Sequence, residues 1–150
     1  SVDEVIESTL ITIEPQVTQE HREIHLHIPG NLAVMADPVR LRQVLMNIST
    51  NALKYSDSPS PIGFFARSNS EGQVIISIAD KGKGIEPKEQ SRVFQRFYRI
   101  ESDVNSPVRG SGLGLYVSQR LIEAMGGKIW IESRGIAGEG STFHIQLPMA

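Results

Sequence analysis

Asn47, Asn51 and Lys54 stand four and then three positions apart in the segment from Arg40 to Tyr55. On a helix turning about 100° per residue they form one row. Leu41, Val44, Leu45, Ile48 and Ala52 fall in a sector of roughly 100°, the face such a helix turns toward a core. The polar row lies beside that face, where the wall of a pocket would be. Asparagine is a poor helix former, so two in one row need a reason. An amide oxygen is a hard ligand that can hold Mg2+ while the ion keeps waters and phosphate oxygens, and Lys54 adds a positive charge one turn on. A solvated polar edge would leave the same pattern. The row by itself fits both.

Two glycine-bearing turns extend the chemistry. Val74, Ile76 and Ile78 alternate along a strand that runs into Asp80-Lys81-Gly82-Lys83-Gly84-Ile85. A carboxylate at a strand end can accept a hydrogen bond from the six-amino group of adenine, where guanine presents an acceptor. Glycines let the backbone approach a ligand closely, although an ordinary strand-ending turn uses the same residues. Gly110-Ser111-Gly112-Leu113-Gly114-Leu115 opens a helix, where free amides and the helix dipole favour phosphate. A flexible hinge before a helix is the other reading. This is not a Walker A loop, since no Gly-Lys-Ser/Thr follows, and Leu115 stands where a dinucleotide fingerprint has its last glycine. The His-Arg-Asp and Asp-Phe-Gly elements of protein kinases are absent.

The surrounding periodicity indicates which elements hold these residues. Asp37-Pro38 reads as an N-cap with proline at the first helical position, starting a helix that runs to about Tyr55. Before it, apolar positions from Val2 to Glu20 predict a helix that Pro15 should kink or interrupt. Ile24, Leu26 and Ile28 alternate with His25 and His27, a half-buried strand; a short extended piece, Ala33 to Ala36, follows. Ser56 to Pro61 reads as a loop, and Ile62 to Arg67 and Gln73 to Ala79 as strands. A short helix is expected around Pro87 to Phe94, a loop from Arg96 to Gly110, and a helix from Leu113 to Met125 stopped by Gly126-Gly127. Lys128 to Ser133 and Thr142 to Leu147 supply the last strands. Strands with helices between them predict an α+β fold with helices on one sheet face.

Composition narrows the class. The 150 residues suit one domain, and 39% hydrophobic with 21% charged residues is an ordinary globular balance. No run approaches the roughly 20 apolar residues of a membrane span, and the absence of cysteine excludes disulfides and thiolate metal sites. A formal charge of −2 gives no basic field for nucleic acid.

Taken together and in order, the motifs resemble those of the catalytic domain of sensor histidine kinases, within the ATPase superfamily of gyrase, the heat-shock chaperone and mismatch-repair ATPases. Asn47 to Ser56 is similar to the asparagine box and Asp80 to Ile85 to the first glycine box. Phe94 to Arg99 is similar to the phenylalanine box, Gly110 to Leu115 to the second glycine box, and Gly138 to Phe143 to the terminal glycine motif. The resemblance covers about Asp37 to Pro148. It implies a two-layer α/β sandwich of Bergerat type, with about five strands in a mixed sheet backed by three helices. It further implies ATP and Mg2+ as cofactors, Asn51 as the metal ligand, and Asn47, Asn51 and Lys54 as the residues that act on phosphate and metal. Tyr55 should pack near sugar and base, and Asp80 should read the adenine amino group with Thr142 assisting. Gly82, Gly84, Ile85, Gly110, Gly112, Leu113, Gly114 and Leu115 should shape the pocket. Residues Arg96 to Gly110 should form a lid held by Phe97, with Arg99 and Arg109 both candidates for the γ-phosphate.

An acceptor histidine in the family's setting is missing at all four histidines, His21, His25, His27 and His144. His25, His27 and His144 read as solvent-facing strand residues. The implied partners are therefore a dimerisation/phosphoacceptor domain of the same protein, with residues 1–20 continuing from its hairpin and 21–150 forming the ATP-binding domain, and a response regulator receiver domain. A monomeric fragment of a homodimeric parent is expected, with this domain in the cytoplasm whether or not the parent is anchored in a membrane. Two alternatives stand beside this reading. An anti-sigma serine kinase should lack the Phe97-Tyr98-Arg99 element, and a non-catalytic nucleotide-binding scaffold should show degenerate boxes. Gyrase-like activity would need a second domain.

Overall fold

Asp37 opens α2 (Pro38–Tyr55) as its sequence predicts. Its Oδ1 accepts hydrogen bonds from the amides of Val39 and Arg40 at 2.9 and 3.3 Å, and Pro38 occupies a position that needs no amide. In the computed structural model, which describes residues 1–57, 59–96 and 114–150, α2 is the middle of the helical layer. It packs against α1 (Val2–Gln19) and α4 (Gly114–Ala124). Val2, Ile6, Ile13 and Val17 of α1 belong to the same buried cluster as the rest of the domain. The third helix, α3 (Pro87–Gln90), is a single turn.

The other layer is a five-stranded sheet in the order β1-β2-β3-β5-β4. Its strands are β1 (Ile24–His27), β2 (Ile62–Ser68), β3 (Gln73–Ala79), β4 (Lys128–Glu132) and β5 (Thr142–Pro148). β1 runs parallel to β2 and every other pair is antiparallel, giving the expected mixed sheet. The core lies between the layers. Phe64, Ile76, Ile78, Ile145 and Leu147 of the sheet meet Leu41, Leu45, Ile48 and Ile122 of the helices, each no more than 1% exposed. Burying each such side chain contributes roughly 1.5–3 kcal/mol. These contacts hold α2 flat on the sheet, with its asparagine row at the edge.

Four expectations need correction. α1 continues through Pro15, because Pro15 and Ile11, the residue four positions earlier whose carbonyl loses its partner, both face solvent. β1 is not half-buried: Leu26 is 50% exposed, since an edge strand with one neighbour need not bury its alternate residues. The helix at Pro87 ends at Gln90. Beyond it the amides of Arg92 and Gln95 bond three residues back, and these tight turns carry Val93 and Phe94 into the core. Phe94 there meets the ring of Phe143 edge-on at 6.4 Å. His144 does not face solvent. Its strand is flanked on both sides, and the ring stacks on Trp130 at 5.1 Å with Nδ1 2.6 Å from Ser77 Oγ.

Candidate nucleotide-binding site

Asp80 directly follows β3 and lies inside the protein, with 6% of its surface exposed. Its carboxylate accepts hydrogen bonds from the Gly82 amide at 2.8 Å, the Ser141 hydroxyl at 3.1 Å and the Ser141 amide at 3.4 Å. The backbone is fixed as well, the Asp80 amide donating to the Ser141 carbonyl at 2.9 Å. Burial pushes the Asp80 carboxyl above its ordinary range, while the Gly82 and Ser141 hydrogen bonds and the Arg22 charge act in the opposite sense. A carboxylate kept in a place that disfavours its charge is a strong acceptor for a donor arriving from outside.

The loop beyond Asp80 shows why glycine stands where it does. A Cβ on Gly82 would run into the carbonyl oxygen of Tyr55, the last residue of α2. Gly84 has φ +76°, and a Cβ there would lie 2.8 Å from Ser133 Oγ and 3.2 Å from the Gly140 carbonyl. Ile85 is buried, and its amide donates to Ser133 Oγ at 2.8 Å. Ser133 Oγ donates in turn to the Gly140 carbonyl at 2.9 Å, and the Gly138 amide reaches the Gly82 carbonyl at 2.9 Å. Loop 80–85, the turn at 138–141 and the end of α2 are thereby locked together. Lys83 Nζ lies 5.4 Å from the centre of the half-buried Tyr55 ring.

The asparagine row is placed as its spacing predicts, with Asn47 and Asn51 half-buried and Lys54 exposed. Asn47 Nδ2 donates to the Ser118 hydroxyl at 3.1 Å and to the Gly114 carbonyl at 3.4 Å, tying α2 to the first turn of α4. Asn51, one turn on, makes no hydrogen bond with a described residue through its amide group. Leu115 packs partly buried against the core. Phe97, Arg99, Arg109, Gly110, Gly112 and Leu113, and with them all of the expected lid after Arg96, lie outside the described residues.

The hydroxyl placed against Asp80 is not the one expected. The hydroxyl that meets Asp80 belongs to Ser141, not Thr142. Thr142 sits in β5 opposite Ala79 and Glu132 and alternates with the buried Phe143, so its side chain leaves the strand on the other face. Ser133, Ser118 and Arg22 do not stand out in the sequence. Ser141 has a signal, its place directly after Gly140. The other three have none, because a lone serine or arginine looks the same in a solvated loop.

These residues suit an adenine nucleotide with magnesium. Asp80 is a buried carboxylate, a group able to accept from an exocyclic amine, and Gly82 and Gly84 stand where a side chain would clash. Among the described residues no three acidic or histidine side chains gather to hold a metal. Mg2+ needs no such cage when it is bound by one or two protein ligands, waters and phosphate oxygens. Asn51, half-buried in the row beside the core face of α2, can be such a ligand.

Comparison with known proteins bears on the family and the fold. The adaptive-response sensory kinase SasA of Synechococcus elongatus is 36% identical over 146 residues, covering 97% of this chain and 37% of that protein. The chain thus spans little more than a third of that relative. The mycobacterial sensor histidine kinase MprB superposes with a TM-score of 0.86 at 27% identity, over 99% of this chain and 94% of that one. Full-length ShkA, whose crystal structure contains AMPPNP, superposes with a TM-score of 0.84 at 29% identity, over 100% of this chain and 30% of ShkA. Residues 36–150 match the family described as histidine kinase-, DNA gyrase B- and HSP90-like ATPase, and the chain belongs to that family.

Proposed function

We propose that this domain binds ATP with Mg2+ and presents the γ-phosphoryl group to a histidine on a dimerisation/phosphoacceptor domain of its parent protein. The observation that carries the reading is Asp80, a buried carboxylate at the joint of loop 80–85 and the 138–141 turn, against which the end of α2 is packed. A structural relative at 29% identity holds an ATP analogue.

Each residue then has a task set by its chemistry. Asp80 accepts the adenine amino group, with Ser141 and the Gly82 amide orienting the carboxylate. Tyr55 and Ile85 flank base and sugar. Asn51 offers an amide oxygen to the metal, and Lys54 offers a positive charge to the phosphates. Asn47 holds α2 to the start of α4, and so sets the spacing between the asparagine row and that helix. Bound Mg-ATP supplies the phosphoryl group and the metal's charge. Such transfers depend on positioning and electrostatic stabilisation, which is what a domain of this kind provides. The nucleophile comes from the partner domain, in the cytoplasm, and the phosphoryl group passes on to a response regulator receiver domain. The parent is a homodimer, and α1 continues from its helical hairpin.

The test uses ATP labelled in the γ position. The chain alone should take up no stable label on His21, His25, His27 or His144. With the purified dimerisation domain of its parent, label should appear on a histidine of that domain. Label on a serine of the partner would point to the serine-kinase reading, and ATP binding with no transfer to a scaffold.

A further inference from the structure

Arg22 lies in the connection between α1 and β1, outside every motif, yet its side chain is only 1% exposed. Its guanidinium is spent on the end of α2. Nη2 donates to the carbonyls of Leu53 and Ser56 at 3.1 and 2.8 Å, two of the acceptors a helix end leaves without an internal partner. Nη1 donates to the Ser56 hydroxyl at 2.8 Å and the Ser60 carbonyl at 3.1 Å, and Nε to Glu20 at 2.7 Å. The Ser56 hydroxyl donates in turn to the Ala52 carbonyl at 2.5 Å. A buried positive charge thus sits against the negative end of the helix dipole and holds the turn that bears Asn51, Lys54 and Tyr55. Across that turn, the Tyr55 carbonyl is pressed so closely on Gly82 that no side chain would fit between them.

We propose that Arg22 is a positioning residue of the nucleotide site, which locks the C-terminal turn of α2 in the place that loop 80–85 is built against. The inference rests on the ATP-binding reading above. Arg22 never touches nucleotide; it acts through Tyr55 and Asp80. Its charge also reaches the carboxylate. Burial pushes the Asp80 carboxyl up, and the Gly82 and Ser141 hydrogen bonds and the Arg22 charge hold it down. The other cations near in sequence, Lys81 and Lys83, belong to the loop itself.

Arg22→Met and Arg22→Lys in the whole chain separate this from a purely structural role, with Ile129→Ala, a buried position in β4, as a control for lost stability. Two quantities are read where each variant is folded: ATP affinity by calorimetry, and the Asp80 titration midpoint from its carboxyl carbon-13 resonance, assigned by its loss in Asp80→Asn. Arg22→Met should bind ATP at least about tenfold more weakly and titrate Asp80 at higher pH. Arg22→Lys keeps the charge and loses the fork, so its midpoint should stay near wild type while its affinity falls. Ile129→Ala should move neither quantity. Wild-type affinity and midpoint in Arg22→Met would overturn the proposal, as would equal changes in Ile129→Ala. If Arg22→Met does not fold, wild-type affinity in Arg22→Lys overturns it. A wild-type chain that binds no ATP would instead sink the nucleotide reading, and the positioning role with it.

Discussion

Replacing Asp80 by asparagine separates what this residue does for the ligand from what it does for the fold. The substitution keeps the shape. The amide oxygen can still accept from the Gly82 and Ser141 amides, and the Ser141 hydroxyl can turn from donor to acceptor opposite the new NH2 group. The charge that burial disfavours is gone, so thermal stability at neutral pH should be equal or higher. Its pH dependence should change in a defined direction. The native carboxyl holds its proton to higher pH than in the unfolded chain, where its ordinary value is 3.8. Unfolding free energy therefore falls as pH rises from about that value through the native pKa, and the Asp80→Asn variant should lack that fall. Binding should move the other way. A hydrogen bond to a charged acceptor contributes about 1.5–3 kcal/mol, so ATP should bind about 10- to 150-fold more weakly. Calorimetric titration at pH 7 gives the affinity, and thermal melts from pH 3 to 8 give the stability profile. Unchanged affinity in a folded variant would refute the adenine role. A large loss of stability at neutral pH would show the carboxylate to be structural.

Two further outcomes follow from α2. Asn51→Ala should abolish the magnesium-dependent part of nucleotide binding while leaving the melt within about 1 kcal/mol, since Asn51 is half-buried and makes no hydrogen bond with a described residue through its amide group; unchanged calorimetric affinity in Mg2+ would make the metal role wrong. Ile48→Ala, at a fully buried position beneath the asparagine row, should cost about 2–5 kcal/mol in urea unfolding, and a cost below about 1 kcal/mol would show that α2 is not held as described.

Much of this fold can be read from period and punctuation. The three-to-four spacing of Leu41, Val44, Leu45 and Ile48 sets the buried face of α2, and Asp37-Pro38 and Tyr55 bound it as expected. The polar row of α2 lies where expected because helical geometry fixes Asn47 and Asn51 once that face is buried. Tertiary facts stay hidden. Leu26 alternates correctly but is exposed, because the sequence does not say that β1 is an edge strand. Pro15 breaks a local rule that solvent on its side of α1 makes cheap to break. The choice between Ser141 and Thr142 depends on which residue ends the strand and which alternates away, and Arg22 owes its role to partners 31 to 38 residues away.

A structure of this chain with AMPPNP and Mg2+ tests the central claim most directly. The adenine amino group should lie within hydrogen-bond distance of the Asp80 carboxylate, and the metal should be bound by the Asn51 amide oxygen. Analogue bound instead in the groove of about 640 Å³ lined by Lys81, Ser133 and Arg134, with Asp80 and Asn51 untouched, would contradict it.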